Sequence, residues 1–154
     1  MNLLEKLSEL KISLPDAPKA AELYKTILIQ DRLAMFSGHL PILDDGSMIT
    51  GQVGTDLTVE QGAKAARQVG LNIIASLQAE IGDLERVERV SKLFGMVNAG
   101  PSFNQHPLVI NGCSQLFCDI WGNDHGVGVR SACGVSGLPG NVAVEIEGAF
   151  LLKE

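Results

Sequence analysis

Between Thr58 and Gly82 the chain carries one continuous helical pattern, and no other stretch limits the fold as much. Thr58 and Gln61 have capping-box spacing, in which each side chain accepts the other residue's free backbone N–H. Val59, Ala63, Ala66, Gly70, Ile73, Leu77 and Ile81 then recur at helical spacing, and Gly82 stands where a helix stops. An apolar stripe of this kind needs a second layer to cover it. The small residues Ala63, Ala66 and Gly70 predict that this layer comes close.

Segments of period two lie on both sides. Tyr24–Gln30 and Arg32–Ser37 read as a hairpin with a tight Gln30-Asp31 connection. A short strand is expected near Ser47–Val53, after the turn signal Asp44-Asp45-Gly46, and a longer one over Val87–Val97. Pro101 and Asn104 mark the entry to a second long helix, about Gln105 to Trp121, with Val109, Ile110, Cys113, Leu116, Phe117 and Ile120 on its buried side. Two strands follow, about Val127–Ser136 and Val142–Leu152, joined as a hairpin through Gly137–Asn141. With a short helix over residues 2–10, the order is ββ(β)αβαββ after a helical extension of about residues 1–14. The expectation is one α+β domain over 1–154, a mixed sheet covered on one face by two helices. The last strand has Val142, Val144, Ile146, Phe150 and Leu152 on one face; the other carries Ala143, Glu145, Glu147, Ala149 and Leu151. That mixed second face fits a subunit interface containing a polar pocket.

Composition narrows the function. The formal net charge is −6, with one Trp and one Tyr, so the basic footprint of a nucleic-acid binder is missing and a base-stacking platform is poorly supplied. No run is long and apolar enough to span a bilayer. The start, MNLLEKLSEL, lacks the pattern of a secretory signal, which makes a cytoplasmic location the expectation. Cys113, Cys118 and Cys133 form no Cys-x-x-Cys and are expected to be free thiols. His39, His106 and His125 are scattered, with no His-x-x-x-His pair, so no metal site is expected. Phosphate-cradling glycine loops and a G-x-S-x-G elbow are absent. Ser37 and His39 share a strand face, which leaves open a Ser–His dyad or a strand-end hydrogen-bonding cluster.

Arg130 is the most informative charge. Its same-face neighbours Gly128, Ala132 and Gly134 leave space around a long guanidinium, which suits bidentate binding of a planar carboxylate. The competing reading is a salt bridge to Glu145 or Glu147 on the adjoining strand. Those two glutamates share a face, and a register that put Arg130 beside them would set a water-activating carboxylate next to the anchor.

The run Arg130-Ser131-Ala132-Cys133-Gly134-Val135-Ser136-Gly137-Leu138-Pro139, followed by Val144-Glu145-Ile146-Glu147, resembles the signature of the RidA/YjgF family, also called L-PSP. Phe36-Ser37-Gly38-His39-Leu40-Pro41, Tyr24 and Ile110-Asn111 match further segments in the right order, so the resemblance covers about residues 17–152. It implies a chorismate-mutase-like fold of the bacillus type and a homotrimer with three pockets between subunits. It also implies hydrolysis of 2-imino acids or their enamine tautomers to 2-oxo acids and ammonia without a cofactor. Arg130 would then hold the substrate carboxylate of a small molecule and Glu145 would position or activate water. Tyr24, Ser37, Gly38 and Asn111 would shape the pocket, with backbone groups near Cys133. Departures are Gly128 where the family has Pro or Ala, Ala132-Cys133 where its deaminases have Cys-Val, and His39 in place of Gln. Other readings are a non-catalytic metabolite-binding or regulatory trimer and the endoribonuclease of the L-PSP label. A chorismate mutase would rest on fold analogy alone.

Overall fold

The computed structural model describes all residues, 1–154. Its elements are α1 (Leu3–Glu9), β1 (Ile27–Gln30), β2 (Leu33–His39), α2 (Val59–Ile81), β3 (Val87–Asn98), α3 (His106–His125), β4 (Val129–Val135) and β5 (Val144–Leu152). The fold is the α+β arrangement of the chorismate-mutase-like type.

Local signals formed as expected. The Thr58/Gln61 capping box opens α2, and Gly82 at φ 79° closes it. Close packing of α2 on α3 rests on glycines: a methyl group on Gly112 would strike the Ala63 carbonyl, and one on Gly70 would meet the Cys113 sulfur at 3.1 Å. α3 runs past Trp121 through a break at Gly122, whose φ is 83°. Tyr24 lies in a bend before β1 rather than within the strand.

The sheet order is β1-β2-β5-β3-β4. β4 runs parallel to β3, while every other pairing is antiparallel. The expected hairpin of the last two strands is therefore absent, because β3 lies between them. β3, α3 and β4 form a β-α-β crossover, the usual route between parallel neighbours, and β5 then fills the place between β2 and β3. The expected strand at Ser47–Val53 is also absent. Gly51 turns at φ 124°, and the segment makes only isolated bridges, Thr50 to Val142 and Val53 to Ala99 among them. Its backbone bonds go to Pro41, Asn141, Ala143 and Asn98, across the ends of the sheet rather than along one strand.

α2 and α3 cover one face of the sheet. Phe150 of β5 meets Phe117 and Trp121 of α3, and Phe36 of β2, at ring separations of 5.3–5.5 Å. α1 adds Leu7 to this core, with Leu3, Leu10, Ile12 and Leu14 packed against it. The opposite face of the sheet has no second layer. Leu28, Leu33 and Val129 are 47%, 36% and 69% exposed there, apolar surface that a lone domain gains nothing by showing.

Candidate functional site

Strand pairing decides which side chains can meet. Arg130 pairs with Leu93, and Leu93 with Gly148, so Arg130 lies on the helix-covered face. Glu145 pairs with Met96, and Met96 with Cys133, on the open face. Arg130 and Glu145 thus stand on opposite faces of one sheet and two strands apart. Neither the predicted juxtaposition nor the competing intrachain salt bridge exists.

Arg130 instead turns to α3. Its Nη1 donates to Asn111 Oδ1 at 2.8 Å and to Ser114 Oγ at 3.0 Å. Asn111 and Ser114 are three apart on one helix and therefore stacked on one face. With Leu93, Gly126, Val127 and Gly128 these residues line a cleft of about 350 Å³. Gly128 is required there, because a Cβ would lie 2.6 Å from the Ser91 carbonyl oxygen. Ser114 was not singled out from the sequence; its only signal is the three-residue step from Asn111. The ion pairs of the chain are Arg32 with Glu88 and Glu154, and Arg89 with Asp124. Arg130 has neutral partners only.

A second cluster forms at the end of β2. Glu145 is half-buried beside Gly38, where even a methyl group would collide with its carboxylate. Burial, and then the charge of Glu147, push the Glu145 carboxyl above its ordinary range. Ser37 Oγ donates to the Lys25 carbonyl. His39 Nδ1 bonds the Ser37 carbonyl at 2.6 Å and its Nε2 bonds Ser76 Oγ at 2.8 Å. The Ser37 hydroxyl is therefore no partner of the imidazole, and the strand-end cluster is the correct reading. Tyr24 is exposed before β1, at the far edge of the sheet from Arg130, with its hydroxyl accepting from the Ala21 N–H at 3.4 Å. One chain thus brings Arg130 to Asn111, and Gly38 to Glu145, but not the two pairs to each other. All three cysteines are free: Cys113 is buried, its thiol pushed up by that burial, and Cys133 is half-buried on the open face. No group of three or more His, Cys, Asp or Glu side chains is placed to hold a metal ion.

Comparison with known proteins adds an independent line. Residues 5–141 match the family described as "YjgF/chorismate mutase-like, putative endoribonuclease". Protein TCP17 of Trypanosoma cruzi is 41% identical over 141 residues, 92% of this chain and 88% of that protein. A protein of unknown function from Agrobacterium tumefaciens is 35% identical, with a TM-score of 0.88 over 98% of this chain and 94% of its own. A "putative endoribonuclease" of Shewanella oneidensis is 29% identical, with a TM-score of 0.93 over 99% and 100% of the two chains.

Proposed function

The chain belongs to the YjgF/chorismate mutase-like family, and from that premise we propose that it hydrolyses reactive 2-enamine and 2-imino acids to 2-oxo acids and ammonia. The observation that carries this reading is Arg130, a cation braced by two neutral side chains at a cleft and paired with no acid of its own chain. A charged fork in that state is suited to an incoming carboxylate. An enamine first becomes its imine tautomer as a proton moves from nitrogen to C3; with the carboxylate held, water then adds to the imine carbon and its proton passes to nitrogen. The C–N bond then breaks as C=O forms, and ammonia leaves. Glu145, with its raised proton affinity, accepts a proton from the water and returns it to nitrogen. No cofactor takes part in this scheme.

Opposite sheet faces mean that Arg130 and Glu145 meet only across two copies. We therefore place the site between subunits of a homotrimer built on the open sheet face, with Arg130 and Asn111 from one subunit. Glu145, Gly38, Ser37 and Tyr24 come from the next, with backbone near Cys133 closing the pocket. The test is release of 2-oxo acid from 2-aminoacrylate generated in situ. Arg130→Ala and Glu145→Gln should each lose turnover. Refolding the two together restores activity to about a quarter of wild type, since three quarters of random trimers are mixed and each holds one intact site. Wild-type turnover in trimeric Arg130→Ala, or a stable monomer by light scattering, overturns the reading. RNA cleavage by the same preparation would instead support the activity in the family's description, although Arg130 is the only cation lining the cleft.

A further inference from the structure

We propose that Ser114 is a positioning residue that fixes which edge of the Arg130 guanidinium receives the substrate. The inference rests on Arg130 being the carboxylate anchor and goes beyond it. A guanidinium has five N–H donors, and it can grip a carboxylate in two ways. The end-on grip uses one N–H from each terminal nitrogen. The side-on grip uses the Nε–H and the Nη2–H beside it.

In this chain Nη1 donates to both Asn111 Oδ1 and Ser114 Oγ, which accounts for its two hydrogens. An end-on carboxylate would have to take one of them away from α3. The Nε–Nη2 edge has no such competitor. The carboxylate is therefore received side-on, and one Nη2–H remains for a further acceptor such as the substrate oxygen or water.

Two features make the brace stiff. Asn111 and Ser114 share one face of α3, and that helix is anchored in the core by Ile110, Cys113 and Phe117, all fully buried. Arg130 itself is on an exposed edge strand, where an unbraced guanidinium would sample many rotamers. Removing either acceptor frees an Nη1 hydrogen and lets the end-on geometry compete, so Ser114 governs the direction from which the substrate projects.

The experiment uses 2-oxobutanoate as the carboxylate probe and 2-oxobutanamide as its neutral counterpart, titrated calorimetrically against the full-length protein. Ser114→Ala should weaken 2-oxobutanoate about three- to tenfold, the range of one lost hydrogen bond, and leave the amide unchanged. Ser114→Thr restores a hydroxyl and should return the affinity to within about twofold of wild type. A crystal structure with 2-oxobutanoate should show its carboxylate on Nε and Nη2, with Nη1 still on Asn111 and Ser114. An unchanged affinity in Ser114→Ala, or a carboxylate bridging Nη1 and Nη2, overturns the inference. If Arg130→Ala abolishes binding while Ser114→Ala does not alter it, only the positioning role falls. If Arg130→Ala also binds like wild type, the anchor assignment falls with it.

Discussion

Gly38→Ala separates the fold from the chemistry more cleanly than a substitution of Glu145 itself. Gly38 lies where the pairing of β2 with β5 slips, between Phe36 and His39. Its φ is outside the left-handed region, so alanine adds no backbone strain. The new methyl would sit 2.9 Å from Glu145 Cδ and 3.1 Å from Cγ, and would overlap the near carboxylate oxygen. These atoms end a flexible side chain that makes no hydrogen bond within the chain, so the clash is relieved by a change of rotamer. That costs about 1 kcal/mol, a fall in Tm of about 2–4 °C for a chain of this size. The effect on turnover should be far larger. General acid–base assistance contributes about 10²- to 10⁴-fold, and swinging the carboxylate aside should forfeit about 10²-fold or more of it. Initial rates of 2-oxo acid release from enamine generated in situ measure the first effect, and thermal unfolding the second. Because the change acts through Glu145, adding it to Glu145→Gln should lower the rate little further. Wild-type turnover in a Gly38→Ala protein whose crystal structure shows the displaced carboxylate would falsify the role given to Glu145. A stability loss above about 3 kcal/mol would show that the side chain cannot swing away, as overpacking of a rigid site does.

Three further outcomes follow from the geometry. Arg130→Lys keeps the charge but loses the planar fork, so 2-oxobutanoate should bind about ten- to a hundredfold more weakly by calorimetry; unchanged binding would mean that a point charge suffices. Gly112→Ala drives a methyl into the Ala63 backbone, which no rotamer change relieves; urea unfolding should show a loss of about 3 kcal/mol, and a midpoint like wild type would refute the close helix crossing. Burial holds the His39 imidazole below its ordinary value of 6.5, so the unfolded chain takes up a proton that the folded chain refuses. This contribution to stability is whole above that value and is lost as pH falls through the window down to the folded one. Glu145, raised, acts in the opposite sense, contributing stability at low pH that disappears as pH rises through its folded value. The measurement is therefore the difference in urea midpoint between wild type and His39→Gln from pH 7.5 to pH 5; a difference that does not change with pH would contradict the buried neutral imidazole.

What the sequence disclosed was local. The cap at Thr58, the stop at Gly82 and the buried side of α3 depend on residues within a few positions of one another, and all formed as read. The loss of the Ser47–Val53 strand traces to Gly51, whose positive φ turns the chain out of an extended path that Ile49 and Val53 alone would allow. The last two strands misled for a different reason. A short Gly- and Pro-containing connection ordinarily makes a hairpin, and nothing between Val129 and Leu152 signals that a strand 30 residues upstream will take the place between them. Ser114 was hidden likewise, because a serine in a helix acquires meaning only when the neighbouring strand puts a guanidinium beside it.

The inserted strand also keeps the charged groups of the proposed site apart. Side chains at paired positions share a sheet face, and neighbours along a strand alternate. Glu145 is tied through Met96 to Cys133, and Arg130 is three positions from Cys133, an odd step that puts it on the other face. A direct hairpin could have slipped by one residue and set Arg130 against Glu145 or Glu147, leaving a self-neutralised ion pair of small worth. With β3 between them, no small slip of β4 against β5 is available, and the sheet keeps the cation and the carboxylates of one chain apart. Each is left without an ion-pair partner in its own chain, as the roles proposed for Arg130 toward a substrate carboxylate and for Glu145 toward water require. In the proposed trimer a second copy, offering its open face, brings the two to one substrate without first letting them quench each other.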